Sequence, residues 1–162
     1  MHIEVTRLDI GSIKPLWLKE RAEQDIIVPP EARITAPITI LKLHGSLDGS
    51  SYESLIAEAQ EQIGGGAGRM IIDLETVSAL SSAGIVGIYT VGSLLEGESL
   101  EDLEGYAITS MLRNDLDDGK SFSNLLLAGA SDDIAPALES TGIDRVALSF
   151  PSLDEAISSF PE

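Results

Sequence analysis

The chain of 162 residues contains no cysteine. Disulfides, thiol catalysis and the common cysteine-based zinc sites are therefore excluded. Histidine is nearly as scarce, with only His2 and His44, so imidazole chemistry has few places to start. Aromatic residues make up 4% of the chain. No apolar run approaches the roughly 18 residues needed for a membrane-spanning helix. Basic residues are few: 10 Lys and Arg face 27 Asp and Glu, for a formal net charge of -17. That charge repels nucleic acid and anionic lipid, so neither is expected as a partner. It suits a partner with a basic surface, and it equally suits plain solubility. The opening Met1-His-Ile-Glu-Val-Thr6 lacks the basic start and apolar stretch of a secretory signal. A cytoplasmic location is the expectation. With 43% apolar residues, one domain over residues 1–162 with a real core is expected.

The apolar pattern organises most of the chain. Residues 3–8 are expected to form a first strand. Residues 1–36 read as an N-terminal extension. In it Lys14–Ala22 has helical character, Trp17 with Leu16 and Leu18 is read as core with an exposed contact patch as the alternative, and Pro29-Pro30 interrupts regular structure. From Ile38 a strand alternates Ile38, Ile40 and Lys42 with Thr39, Leu41 and Leu43, both faces apolar. Gly45-Ser-Leu-Asp-Gly49 breaks it. Ser50 and Glu53 form the pattern of a capping box for a helix carrying Tyr52, Leu55, Ile56, Ala59 and Ile63 on one face. Gly64-Gly-Gly66 stops that helix. A second strand spans about Arg69 to Leu74, and a short turn leads to a helix from about Ser82 with Ile85, Ile88, Leu94 and Leu95 on its apolar side.

Residues 96–120 read as an acidic insertion, because residues 96–104 alone hold five acidic side chains in nine. Such density favours a solvated face or a loop. A helical addition with Tyr106, Ile108 and Met111 as its apolar contacts is the alternative. Asn124–Gly129 forms a buried strand, Ser131 caps a helix with Ile134 and Leu138, and Gly142 ends it. Val146–Phe150 is expected to be the last strand, and Ser152 with Glu155 a capping box for the last helix. Strands alternating with helices imply crossovers and a largely parallel sheet.

The stretch with most functional content is Ser81-Ser-Ala-Gly84. It opens a helix directly after a strand and its turn. Hydroxyls there sit beside unpaired backbone N–H groups and the positive end of the helix dipole, a place that tolerates phosphate. The plain reading is that Ser81 or Ser82 caps the helix.

Three blocks resemble the STAS domain family, the fold of bacterial anti-sigma factor antagonists. Residues 38–48 are similar to the family's strand ending in Gly-x-Leu-Asp, here Gly45-Ser-Leu-Asp48. Residues 70–87 are similar to its strand, turn and serine-bearing helix start. Residues 124–157 are similar to its closing strand–helix–strand–helix. The resemblance implies a mixed, largely parallel sheet of four to five strands, with helices packed mainly on one face. It implies a protein-interaction switch in bacterial transcription signalling, without catalysis or cofactor. Ser82 matches the position phosphorylated by a partner kinase, with Ser81 second to it. Asp48, Ser81, Ser82, Ala83 and Gly84 match the partner-binding surface. The implied partners are an anti-sigma factor serine kinase, bound when Ser82 is unphosphorylated, and a serine phosphatase. The family's turn commonly places Asp where this chain has Ser81. That departure supports an alternative: a STAS scaffold or adaptor, not phosphorylated, in a stress-signalling or transport complex. Homodimerisation is left open.

Enzyme and metal readings find little. A hydrolase using Ser82 lacks the Gly-x-Ser-x-Gly elbow, and only His2 and His44 offer an imidazole base. The 96–104 segment lacks the Asp-x-Asp-x-Asp-Gly order of a calcium loop.

Overall fold

A computed structural model describes residues 1–8, 37–100 and 105–160. The expectations for Lys14–Ala22, Trp17 and the rest of the 9–36 segment lie outside the described residues. Among the described residues five strands form one sheet in chain order β1-β2-β3-β4-β5. They are β1 (His2–Leu8), β2 (Ile38–Leu47), β3 (Arg69–Leu80), β4 (Leu125–Ala128) and β5 (Leu148–Phe150). β1 runs antiparallel to β2, and the other neighbours are parallel. The helices among the described residues are α1 (Tyr52–Gly64), α2 (Ser82–Leu95), α3 (Gly105–Asp118), α4 (Ala135–Thr141), α5 (Ile143–Val146) and α6 (Leu153–Ser159). This is the expected mixed α/β fold with a largely parallel sheet.

Alternation along the strands divides the core in two. Leu41, Leu43 and Leu47 of β2, Met70, Ile72 and Leu74 of β3, and Leu125 and Leu127 of β4 face one side. There they meet Leu55 and Ala59 of α1, Ile85, Ile88 and Val91 of α2, Leu138 of α4, and Ile143 and Val146 of α5. Ile38, Ile40, Ile71, Leu126 and Ala128 face the other side, where Ala156 of α6 and Phe160 cover them. Ile108 and Leu112 of α3 join the first side, so among the described residues five helices pack on one face and one on the other, as the doubly apolar β2 requires.

Several boundaries differ from the sequence expectation. β2 continues past Gly45 to Leu47, and β3 continues past Leu74 to Leu80. The extension pairs His44 with Thr76, Gly45 with Val77, Ser46 with Ala79 and Leu47 with Leu80. Two register shifts lie between Lys42 and His44 and between Gly45 and Ser46. Extra residues on β3 at these bulges break the alternation that would have marked a strand. The last strand is shorter than expected: Ile143–Val146 is the helix α5, and only Leu148–Phe150 pairs with β4. Ser131 does not cap α4 through its side chain. Its carbonyl accepts from the N–H groups of Ile134 and Ala135, and α4 begins at Ala135.

The 96–120 stretch contains α3, which belongs to the main core. Ile108 is 3% and Leu112 8% exposed, both within the large cluster. The Tyr89 hydroxyl of α2 donates to Asp115 Oδ2 of α3 at 2.5 Å. Burial, then this carboxylate, pushes the Tyr89 phenol far above its ordinary range. Residues 101–104 and the side chain of Tyr106 lie outside the described residues.

One buried group yields a stability prediction. Thr39 is fully buried, and its hydroxyl has no hydrogen-bond partner among the described residues. An unpaired buried polar group costs about 1–3 kcal/mol. Thr39→Val keeps the shape and the β-branch, so it is expected to stabilise the protein by about 1 kcal/mol. The readout is a higher urea midpoint at unchanged m-value. A lower midpoint would show that the hydroxyl is satisfied.

Candidate functional site

The extended pairing of β2 with β3 brings the two singled-out motifs together. The Ser81 N–H donates to the Leu47 carbonyl at 3.0 Å. The first turn of α2 therefore starts beside the turn that follows β2, and Asp48 is the next residue of that turn.

On the α2 side, Ser81 is the N-cap. Its backbone is extended (φ -103, ψ 175), and its hydroxyl accepts from the Gly84 N–H at 3.4 Å. Ser82 is the first helical residue and is exposed. Its side chain makes no hydrogen bond among those of the described residues. The division of labour is clear: Ser81 satisfies part of the helix start, and Ser82 presents a free hydroxyl at the positive end of the dipole. Ala83 is half-buried and Gly84 buried. An added Cβ at Gly84 would lie 2.5 Å from the Leu47 carbonyl oxygen and 2.7 Å from Leu80 Cδ1. Gly84 is what allows α2 to start this close to β2.

On the Asp48 side, the capping box expected from Ser50 and Glu53 is not formed. The Asp48 carboxylate instead accepts from Ser50 N–H at 2.9 Å and from Ser50 Oγ at 2.6 Å. These bonds, the hydroxyl first, hold the Asp48 carboxyl below the usual carboxylate range, so it stays anionic throughout the neutral region. Ser51 takes the N-cap position of α1 without a side-chain cap bond. Its buried hydroxyl donates to the Ser46 carbonyl at 2.7 Å and accepts from Asp48 N–H at 3.0 Å. The turn is thus fastened by its own side chains, and Asp48 is fixed without help from Ser81 or Ser82. The sequence reading missed Ser51 and the Leu47 carbonyl. Ser51 follows Ser50 directly, and nothing in the pattern says which of the two hydroxyls turns inward.

The histidines sit elsewhere. His2 lies in β1, opposite His44, with the rings stacked at 5.6 Å between centroids. His44 Nδ1 lies 2.9 Å from Thr76 Oγ1, and its Nε2 lies 3.2 Å from Glu4 Oε1. Neither ring nitrogen is directed to Ser81 or Ser82. Among the described residues no group of three His, Asp or Glu is arranged to hold a metal ion, and no helix is long and apolar enough to cross a membrane.

The sheet is five-stranded and mostly parallel among the described residues, and α2 starts with serines beside the β2–α1 turn. The STAS domain family model matches residues 29–96, which contain β2, α1, β3 and α2. The resemblance to that family therefore holds over the part of the chain that builds the site. The fold is also similar to two solved structures. One is an anti-sigma factor antagonist from Mycobacterium paratuberculosis, with TM-score 0.56 and 13% identity, covering 99% of this chain and 96% of that one. The other is a candidate anti-sigma factor antagonist from Thermotoga maritima, also with TM-score 0.56 and 13% identity, covering 76% of this chain and 86% of that one. At such identities the likeness is one of fold. None of the curated proteins compared with the chain matches it.

Proposed function

We propose that this protein is an anti-sigma factor antagonist-like interaction switch, in a cytoplasmic bacterial signalling pathway, acting on Ser82. In this reading the unmodified protein binds an anti-sigma factor kinase and so frees a sigma factor. Phosphorylation of Ser82 ends the binding, and a serine phosphatase restores it. The observation that carries the proposal is the exposed Ser82 hydroxyl in the first turn of α2, next to a serine that already serves as the cap. Phosphate would add a charge of about -1.5 to -2 there. Helix N–H groups favour such charge by about 0.3–1 kcal/mol at an exposed site, so the fold tolerates it. A partner that must cover the same spot does not, because it would have to desolvate or oppose the phosphate. Asp48, Ser81, Ala83 and Gly84 would complete the contact surface. The role is non-catalytic and needs no cofactor, and the whole chain, 1–162, would act as one domain.

The serine at position 81 bears on this reading. Asp and Ser are comparable N-caps, so Ser81 keeps the structural role that the family's Asp would have and gives up only its charge. The same loss of charge favours the second reading, a STAS scaffold or adaptor whose Ser82 is never modified. One experiment separates them. Incubation with a cognate kinase and ATP is expected to place one phosphate on Ser82, located by mass spectrometry, and none on Ser82→Ala. Ser82→Asp is expected to weaken kinase binding at least about tenfold, roughly 1.4 kcal/mol, at an unchanged unfolding midpoint. Undiminished binding by Ser82→Asp would refute the switch and leave the scaffold.

A further inference from the structure

A groove of about 340 Å³ lies between α1 and α2 and is lined also by Leu100 and by Ile108 of α3. It begins one helical turn beyond Ser82, because Val86 lies four residues further along the same face of α2. Ile56, Val86 and Ile108 supply apolar surface, and Leu100 stands 40% exposed beside them. Its volume is at the lower end for small-molecule sites, which are enclosed clefts of about 300–1,000 Å³. This one is partly open to solvent, so it would leave part of a small ligand wet.

Charge says what kind of occupant fits. Neither α1 nor α2 carries a single Lys or Arg, whereas α1 carries Glu53, Glu58 and Glu61. Glu53 lines the groove itself. In the sequence no Lys or Arg occurs from residue 43 to 68 or from 70 to 112. A second copy of the chain would bring a further net charge of -17 and is disfavoured by repulsion. An anionic lipid is disfavoured in the same way. We infer that this groove receives an amphipathic, basic helix of a partner protein, its apolar residues seated on Ile56 and Val86 and its Lys or Arg residues facing Glu53. Helix-in-groove recognition of this kind needs apolar anchors at i, i+3, i+4 and i+7, with charge at the rim. The inference does not depend on phosphorylation of Ser82, and it holds equally for a switch or a scaffold.

The test uses the full chain and a synthetic helical peptide with Leu at those anchor positions and Lys elsewhere. A counterpart with Glu in place of Lys is the control. The Lys peptide is expected to saturate the protein with amide NMR shifts confined to α1, α2, Leu100 and Ile108, while the Glu peptide gives none. Ala57→Arg places a cation on an exposed groove position, and Glu53→Lys reverses the rim charge. Each is expected to weaken the Lys peptide about tenfold or more. Asp154→Lys on α6, away from the groove, is expected to change affinity by less than about twofold, as surface charges usually do. Unchanged unfolding midpoints check that the variants fold. The inference is overturned if Asp154→Lys weakens the peptide as much as the groove variants, if the shifts spread over the whole surface, or if neither groove variant matters.

Discussion

Ile72→Ala is expected to destabilise the protein by about 2–5 kcal/mol, the range for truncating a buried isoleucine. Ile72 lies in β3 between Leu41 of β2 and Leu127 of β4, and all three side chains are fully buried. It faces the larger core, beneath the helices. Removing it costs transfer free energy and leaves a cavity between strands whose backbones are fixed by pairing on both sides. Alanine also suits a strand less well. Since small proteins have only about 5–15 kcal/mol in total, the loss is a large fraction of the stability. The urea midpoint should fall at constant m-value. A shift below about 1 kcal/mol would mean that β3 is not the centre of the core.

Gly84→Ala is the second large expected effect, and its sign is decided by two opposing terms. Alanine favours a helix over glycine by about 1 kcal/mol. Against this, the new Cβ would lie 2.5 Å from the Leu47 carbonyl oxygen, a backbone atom that cannot rotate away. Overpacking of this kind typically costs about 1–3 kcal/mol, and more where backbone must move. A net destabilisation of about 1–2 kcal/mol is expected. Relief requires the start of α2 to retreat from β2, which strains the Ser81–Leu47 hydrogen bond and carries Ser82 away from the Asp48 turn. Binding to any partner that reads both motifs should therefore weaken along with stability. Gly64→Ala is the matched control. Gly64 is exposed at the end of α1, and nothing lies within 4 Å of its added Cβ. There alanine is expected to stabilise by about 0.4–1 kcal/mol. The same direction of change at both positions would show that Gly84 is not a close-approach residue.

The helix and strand pattern was legible wherever one face of an element is buried. Leu55, Ile56 and Ala59 recur at helical spacing and are the buried residues of α1. The alternation of Ile38 and Ile40 with Leu41 and Leu43 correctly assigned opposite faces of β2. Gly142, with φ 80, ends α4 as its position suggested. The Ser152 hydroxyl accepts from Glu155 N–H and caps α6.

Where the chain is held by a partner rather than by its own periodicity, the sequence said less. Residues 75–80 are mostly exposed and out of register by two bulges, so only their pairing with β2 makes them a strand. Ile143–Val146 is too short for its periodicity to mark it, and the helix is what places both Ile143 and Val146 in the larger core. Acidic density around 96–104 suggested a solvated excursion, yet the following α3 has its own apolar side buried. At Asp48, one hydroxyl was as good a cap as its neighbour until the Ser46 carbonyl came within reach of Ser51.

The sequence alone determined that the protein is an acidic α/β protein without cysteine chemistry, and that serines open a helix after its second parallel strand. Local propensity and apolar periodicity suffice for that, because both act within a few residues. Tertiary structure alone decided that Ser81 becomes the cap and leaves Ser82 free, and that Gly84 lets α2 start against Leu47. It also placed the Asp48 turn next to that helix start. Those outcomes depend on carbonyls and hydroxyls from segments about 35 residues apart, which meet only when β2 and β3 pair.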